Sequence, residues 1–281
     1  MMAHPCPGLR IFVGPPKRRF ISHMAIDYLS LLNPSQAAAV MQTEGPCMII
    51  AGAGSGKTRV LTYRIANLLE KGVDPFNILA LTFTNKAAKE MRARVEKVVG
   101  PNARSLWMGT FHSVFAKILR SEADKIGFPR SFTIYDTQDS KTLLGQIVKE
   151  LELDDKLYKP GLVMGRISAA KNKLISHTQY LNDPTIKADD EAALRPKIGA
   201  IYQQYYQRCL KAGAMDFDDL LFNTNVLFRD HADVLNKYQN MFKFVMVDEY
   251  QDTNYSQYLI TRKLAAKERN ICVVGDDAQS I

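Results

Sequence analysis

The sequence predicts an α/β fold with a parallel sheet and a mostly helical insertion. Continuous apolar runs, each followed by a turn, indicate buried parallel strands at 47–50, 78–83, 105–109, 242–247 and 271–274. A glycine-rich turn lies between the first run and a helix-like stretch, an order typical of a phosphate-binding loop. From about 114 to 214 the apolar residues recur at helical spacing, in segments near 137–151, 159–173 and 197–212.

Composition limits the class of protein. The chain has 281 residues, of which 46% are hydrophobic, and this suits one large or two modest globular domains. The net charge of +8 weakly favours a polyanionic partner. The four cysteines form no CxxC pair, which argues against a zinc or iron–sulfur site and for a reducing compartment. No apolar run approaches the roughly 20 residues of a membrane helix, so we expect a soluble, cytoplasmic protein without a membrane partner.

Residues 1–23 stand apart from the rest. They are rich in proline and basic residues, and their apolar run at 9–13 is too short and too early for a signal sequence. We expect a disordered arm, a tag or a misassigned start, and we place the fold after residue 23.

The glycine-rich turn at 51–58 predicts a phosphate cradle. Backbone N–H groups of the turn and the positive end of the following helix point to one place. Lys57 adds a charge toward the β- and γ-phosphates, and the Thr58 hydroxyl can ligate Mg²⁺. The strict motif has glycine where Ala51 stands. The candidate cofactor-binding residues of the loop are Gly52, Ala53, Gly54, Ser55, Gly56, Lys57 and Thr58.

Two carboxylates follow the apolar run at 242–247. An enzyme with such a cradle needs an acid at this sheet edge to hold Mg²⁺ and a second group to position the attacking water. We assign Asp248 to the first role and Glu249 to the second. Gln279 follows the last apolar run and can reach a γ-phosphate from there.

Upstream of the cradle, Asn33 and Pro34 predict a helix start, with Asn33 as the N-cap. The amide of Gln36 carries both a donor and an acceptor, the pair needed to read an adenine edge. A glutamine alone is usually only a surface residue, so this role depends on its neighbours.

Further polar residues stand at the ends of the second and third strands. Phe83 with Asn85 and Lys86 suits single-stranded nucleic acid, because a ring can stack on a base while polar groups hold phosphate. A core phenylalanine and a solvated lysine explain the same residues about equally well. For His112 a phosphate or sugar contact competes with a capping or packing role, and a metal role is disfavoured.

The helical segment and the residues just after it leave two open questions. Arg166, Lys171 and Lys173 either line a nucleic-acid groove or lie on a solvated helix face, and the second is favoured. Acidic residues at Asp216, Asp218 and Asp219 either bind a metal or cap a helix whose first turn is acidic. Capping is the simpler interpretation.

Taken together, these residues resemble the N-terminal half of a superfamily 1 DNA helicase of the UvrD/PcrA/Rep group. Seven matching motifs in the right order cover roughly residues 25–281, and the run Asp248-Glu249-Tyr250-Gln251-Asp252-Thr253-Asn254 is highly specific to that group. The other matches are Asn33-Pro34-Ser35-Gln36, residues 52–59, residues 82–88, Gly109-Thr110-Phe111-His112-Ser113, residues 216–221 and residues 275–281.

The resemblance implies a RecA-like P-loop NTPase domain, 1A, formed by residues 24–113 and 215–281, and a helical domain, 1B, at 114–214. It implies that ATP and Mg²⁺ are the cofactors, with Gln36 and Arg59 on the adenine, and that Lys57, Thr58, Asp248, Glu249 and Gln279 form the hydrolysis site. The residues implied to touch single-stranded DNA are Phe83, Asn85, Lys86, Thr110 and His112. The implied activity is ATP-dependent 3′→5′ translocation and helicase action on single strands and single-strand/duplex junctions.

The family's second RecA-like domain, with the arginines that reach the γ-phosphate, falls outside these residues. We therefore expect the C-terminal half of the same protein to be a partner, and the 281-residue chain alone to be nearly inactive in hydrolysis. The alternative is a nucleotide-gated DNA-binding or assembly module without motor activity. A P-loop kinase or small-molecule ATPase explains the cradle but not Phe83 or His112, and helicases of the RecB type share several of the motifs.

Overall fold

The structure is a computed structural model that describes residues 28–52 and 54–276. Seven strands lie in the described residues: β1 (Cys47–Ile50), β2 (Ile78–Thr82), β3 (Trp107–Thr110), β4 (Thr133–Tyr135), β5 (Ala214–Asp216), β6 (Phe244–Val247) and β7 (Ile271–Gly275). Five of them form one sheet in the order β1-β7-β6-β2-β3, and every neighbouring pair is parallel. The predicted α/β fold with a parallel sheet is confirmed.

Twelve α-helices lie in the same described ranges. They are α1 (Pro34–Met41), α2 (Lys57–Glu70), α3 (Asn85–Val99), α4 (Phe111–Glu122), α5 (Thr137–Glu150), α6 (Pro160–Asn172), α7 (His177–Asn182), α8 (Pro184–Ala192), α9 (Ile198–Lys211), α10 (Phe217–Asp230), α11 (Ala232–Met241) and α12 (Tyr255–Ala265). The three predicted helical segments correspond to α5, α6 and α9. Within 28–52 and 54–276, no helix combines the length and apolar character that crossing a bilayer requires.

Both faces of β2, β3, β6 and β7 are buried, which explains their continuous apolar runs. Side chains alternate between the faces, so Leu79 and Val245 pack against α4 and the helices α10 to α12. Ile78 and Met246 point the other way, into a cluster with residues of α2 and α3. The sheet is therefore the middle layer of three, and the carboxyl ends of all its strands meet at one edge.

The segment between β3 and β5 has a hydrophobic cluster of its own. Leu144, Val163, Ile201 and Tyr205 of α5, α6 and α9 are buried in it. The helical spacing in this segment gives no sign of a strand, yet β4 lies within it and pairs in parallel with β5. Each of these strands is only three residues long and its partner is distant in sequence, so neither leaves a local signal.

Capping residues fix where the helices begin. Asn33 is the N-cap of α1 and forms a reciprocal capping box with Gln36, and Pro34 occupies the first turn, as predicted. Asp216 and Asp219 form the same kind of box at the start of α10, so the preferred capping role of Asp216 is confirmed.

Candidate functional site

The glycine-rich turn leads directly into α2. Gly54 and Gly56 have φ of +76° and +88°, conformations that residues with a Cβ rarely adopt. Gly56 is the N-cap of α2 and provides no side-chain capping bond, so backbone N–H groups at this helix start can meet an anion. Lys57 is the first residue of the helix and is 9% exposed. The loop therefore has the geometry of a phosphate cradle; Ala53 lies outside the described residues.

Lys57 is surrounded by acidic side chains from other strands. Its Nζ lies 3.1 Å from Oδ2 of Asp276 and 3.8 Å from Oε2 of Glu249. Sequence analysis did not identify Asp276 as a partner of Lys57, although this acid also directly follows an apolar run. The reason is strand order: β7 lies between β1 and β6, so the strand next to the one that leads into the cradle is β7, and Asp276 directly follows it.

Asp248 is buried beside Thr58 at the end of β6. Burial and the neighbouring charge of Glu249 raise the pKa of Asp248 to about 6, although Lys57 and a hydrogen bond with the Thr58 side chain lower it. A hydroxyl and a carboxylate that face each other are oxygen ligands of the kind Mg²⁺ prefers, so this pair fits the ion. The described residues contain no group of three or more His, Cys, Asp or Glu side chains that suits a metal. A pair fits Mg²⁺ better than a dedicated cage would, since that ion is usually held by one or two carboxylates plus substrate phosphates.

Glu249 sits at a strained point in the backbone. Its φ is +49°, in the left-handed region that a residue with a side chain adopts at a cost of about 1–2 kcal/mol. Gln251 holds the side chain, because its Nε2 donates to Oε2 of Glu249 at 2.8 Å while its Oε1 accepts from the N–H of Asp276 at 3.0 Å. Gln251 thus links the end of β6 to the end of β7.

Gln36 contacts the cradle through its amide. Nε2 donates to the carbonyl oxygen of Ser55 at 2.8 Å, and Oε1 accepts from the N–H of Asn33 at 3.1 Å. An amide has two donor hydrogens and two acceptor lone pairs, so both bonds leave capacity to read a base edge. Arg59 is exposed in the first turn of α2. Gln279 lies outside the described residues.

A second group of candidate residues lies at the ends of β2 and β3. Phe83 is half-buried and its ring packs against Phe111 with a centroid distance of 5.5 Å. Asn85 and Lys86 are exposed at the start of α3, where Thr84 is the N-cap. Phe83 therefore packs against Phe111 and keeps part of its ring accessible.

His112 and Phe217 form an aromatic pair beside these residues. The rings meet edge to face at 5.7 Å, and Phe217 is 52% exposed. Burial lowers the pKa of His112, against a smaller raising effect of Asp218, so the imidazole is neutral at pH 7. Thr110 is the N-cap of α4 and accepts from the N–H of Ser113 at 3.2 Å. Sequence analysis missed Phe217.

The basic residues of the helical segment have different surroundings from those expected. Lys171 is buried, and its Nζ lies 2.7 Å from carboxylate oxygens of both Asp216 and Asp219. Neither a nucleic-acid groove nor a solvated face is correct for Lys171, because two buried acids across the helix interface compensate its charge. Arg166 pairs with Asp190 at 2.6 Å, and Lys173 is exposed.

A family model and the similar known proteins point to the same family. The family described as the UvrD/REP helicase N-terminal domain matches residues 32–281. The chain is 47% identical to the ATP-dependent DNA helicase PcrA of Staphylococcus aureus over 254 residues, which are 90% of this chain and 34% of that protein. It is 49% identical to the ATP-dependent DNA helicase PcrA of Staphylococcus epidermidis over 251 residues, 89% of this chain and 34% of that protein. The chain thus spans about a third of the length of the curated relatives it matches.

Proposed function

Because this chain belongs to the UvrD/REP helicase family, we propose that it is the ATP- and DNA-binding portion of an ATP-dependent 3′→5′ DNA helicase or translocase. One observation supports this proposal above the others. Lys57 of the cradle lies within 3.8 Å of Glu249, and Asp248 hydrogen-bonds Thr58, although these pairs are far apart in sequence. A cradle, a magnesium-binding pair and a water-positioning acid at one sheet edge are what nucleotide hydrolysis requires.

Each residue of the nucleotide site has a separate task. Lys57 and the backbone N–H groups of the loop bind the phosphates, and Gln36 with Arg59 contacts the adenine. Thr58 and Asp248 would hold Mg²⁺, and the ion would supply positive charge beside the phosphates. Glu249 orients and deprotonates the attacking water, and its left-handed backbone with the Gln251 bond fixes its direction. Gln279 contacts the γ-phosphate.

The DNA site lies at the ends of the neighbouring strands β2 and β3. Phe83 stacks on a base, while Asn85, Lys86 and Thr110 hold the backbone of a single strand. Neutral His112 contributes a hydrogen bond rather than a positive charge. To this set we add Phe217, whose exposed ring lies against His112 and provides a second stacking surface.

We further propose that residues 24–113 with 215–281 form domain 1A, that 114–214 form domain 1B, and that a C-terminal half completes the motor. The relatives' length supports this partner. One face of the edge strand β1 supports it as well, because among the described residues Met48 and Ile50 are 64% and 60% exposed. Large apolar side chains on an exposed strand are typical of a surface that another part of a protein covers.

The 281-residue chain alone should bind ATP–Mg²⁺ and bind DNA weakly, but hydrolyse ATP slowly and leave duplexes intact. An arginine supplied to the γ-phosphate is worth about 10³–10⁵ in rate, and in this family it comes from the second domain. Opening each duplex step costs on average about 1.4 kcal/mol, and a single domain has no closing motion to provide it.

Nucleotide and DNA titrations of the purified chain test the proposal. A fluorescent ATP analogue should bind in the presence of Mg²⁺, and a labelled oligo-dT should bind in competition with unlabelled single strands. Lys57→Ala should abolish nucleotide binding, whereas Glu249→Gln should retain it and, in a chain that includes the C-terminal half, lose DNA-stimulated turnover. Absence of magnesium-dependent nucleotide binding, or turnover by the 281-residue chain at ordinary motor rates, would contradict the proposal.

A further inference from the structure

We propose that Asn172, at the end of α6, is a positioning residue that couples the nucleotide site to the DNA site through its hydrogen bond with Asn254. The inference rests on the proposed function, since it requires both sites. It adds a residue of the helical segment, outside every motif noted in the sequence, whose task is to transmit the state of one site to the other.

The Asn172 amide joins two helices that lead to different sites. Its Oδ1 accepts from Nδ2 of Asn254 at 2.6 Å, and its Nδ2 donates to Oδ1 of Asp218 at 3.2 Å. The same Nδ2 also donates to the carbonyl oxygen of Ser168 at 2.9 Å, one turn back in α6. The acceptor oxygen of the amide thus faces Asn254 while its donor nitrogen faces Asp218. A rotation of the amide that follows one of these partners breaks the hydrogen bond to the other.

On the nucleotide side, Asn254 ends the loop that carries the hydrolysis residues. It is the N-cap of α12 and forms a capping box with Gln257. The short 3₁₀ turn at Tyr250–Asp252 connects it to Glu249, and within that turn Gln251 bonds both Glu249 and the N–H of Asp276. A shift of Glu249 on nucleotide binding therefore also moves Asn254, because a short, hydrogen-bonded segment connects the two residues.

On the DNA side, Asp218 belongs to the first turn of α10 and directly follows Phe217. The buried Lys171 holds that turn in place, because its ammonium bonds Asp216 and Asp219 on either side at 2.7 Å each. Phe217 contacts His112, and Asp218 acts on the pKa of the same imidazole. A displacement of Asp218 therefore changes Phe217 and His112, two of the aromatic residues of the proposed DNA surface.

The geometry gives the Asn172 amide two distinguishable roles. If it only fastens the helical segment to the sheet domain, its loss lowers the stability of the whole chain and affects each ligand alone. If it couples the sites, its loss leaves each ligand's own affinity in place and removes the dependence of one affinity on the other. Coupling between two ligands is reciprocal, so the same factor must appear in both directions.

Two variants break the contact from opposite ends. Asn172→Ala removes the bonds to Asn254 and Asp218 together with the bond to Ser168 in its own helix, and alanine is a good helix former. Asn254→Ser removes the donor to Asn172 but keeps the N-cap, because serine caps helices about as well as asparagine. Asn182→Ala is the matched control: Asn182 bonds the carbonyl of Thr178 one turn back in α7, as Asn172 bonds Ser168, and it is exposed.

The experiment measures, for the full chain, the Kd of a fluorescent ATP–Mg²⁺ analogue with and without saturating oligo-dT, and the Kd of labelled oligo-dT with and without the nucleotide. In the wild type the two affinities should be linked by a factor of about five or more in both directions. Asn172→Ala and Asn254→Ser should bring that factor close to one, while the Kd of each ligand alone stays within about twofold. Asn182→Ala should keep the wild-type factor.

Two results overturn the inference. The coupling factor persists in both variants, whether or not each ligand alone binds more weakly, or the wild type binds both ligands with no linkage. In each of these cases the proposed function stands. If the wild type binds neither nucleotide nor DNA, the proposed function fails together with the inference.

Discussion

Replacing Lys171 by methionine tests whether the acidic start of α10 depends on a buried cation. Nζ of Lys171 lies 2.7 Å from Oδ2 of Asp216 and 2.7 Å from Oδ1 of Asp219, and the lysine side chain is 3% exposed. Burial alone would lower the pKa of Lys171, but the two carboxylates raise it well above its usual value. Methionine keeps the length and apolar stem of the side chain and removes only the charge and its bonds.

The expected loss is large because the two acids stay buried. Removing one partner of a buried ion pair costs about 3–5 kcal/mol, since the remaining charge has neither water nor a counter-ion. For a chain of this size, each kcal/mol lowers the melting temperature by roughly 2–4 °C. Lys171→Met should therefore melt on the order of 10 °C or more below the wild type at about pH 8.

The size of the loss should depend on pH in a defined direction. Burial and the neighbouring charge of Asp216 raise the pKa of Asp219 to about 7 even with Lys171 present. A carboxyl whose folded pKa is raised stabilises the protein fully below its unfolded pKa of about 4, and that contribution is lost as the pH rises through the folded value. Without Lys171 the folded pKa rises further, so the deficit against wild type should be smaller at about pH 5 than at about pH 8.

Thermal melts followed by circular dichroism at both pH values measure the effect. The double variant Lys171→Met with Asp219→Asn is the control, because asparagine still accepts the N–H of Asp216 and removes one of the two buried charges. It should recover much of the lost stability. A deficit below about 1 kcal/mol at the higher pH, or one that is equal at both pH values, would refute the reasoning.

Three further outcomes are expected at the proposed sites. Phe217→Ala should weaken oligo-dT binding by about 1–3 kcal/mol in a fluorescence titration. Tyr255→Ala removes a ring of comparable exposure, 56% against 52% for Phe217, and should leave oligo-dT binding unchanged. Equal losses of affinity in the two variants would contradict the assignment of Phe217 to the DNA site. Gln36→Ala should reduce the preference for ATP over GTP in competition binding by about 1–3 kcal/mol, the usual value of a bidentate amide–adenine contact, and an unchanged ratio would exclude it from base reading. Asp248→Asn should raise the Mg²⁺ concentration for half-maximal nucleotide binding by about 10–100-fold, and an unshifted magnesium titration would place the ion elsewhere.

The sequence predicts those features of the fold that depend on neighbouring residues. The turn at 51–58, the N-caps at Asn33 and Asp216 and the apolar strands are set by backbone conformation and hydrogen bonds within a few positions. These features appear in the structure within one or two residues of the predicted positions. The strand predicted at 105–109, for example, runs from Trp107 to Thr110.

Features that depend on distant segments were not predictable. The insertion of β7 between β1 and β6 makes Asp276 a partner of Lys57, and nothing near either residue indicates it. Lys171 lies in a helix with other basic residues, so its sequence context is typical of a solvated position. Its burial depends on Asp216 and Asp219 at the start of α10, which are at least 45 positions away. Phe217 stands three residues before Leu220, a spacing that predicts a core position, yet the helix start leaves its ring exposed beside His112.

The charges around the cradle argue that Mg²⁺ is essential for nucleotide binding as well as for hydrolysis. One ammonium, that of Lys57, lies among the carboxylates of Glu249, Asp276 and Asp248, and the last of these is ionised above its pKa of about 6. A triphosphate brings more negative charge to a site that already has an excess of it, so a divalent cation must accompany it. Glu249→Gln removes one of these charges, because an amide of nearly the same size and shape replaces the carboxylate. It should therefore bind ATP at least as tightly as the wild type and need less Mg²⁺ to do so, as a magnesium titration of the fluorescent analogue measures. Weaker binding by this variant would mean that Glu249 holds the nucleotide itself, and its assignment to the attacking water would be wrong.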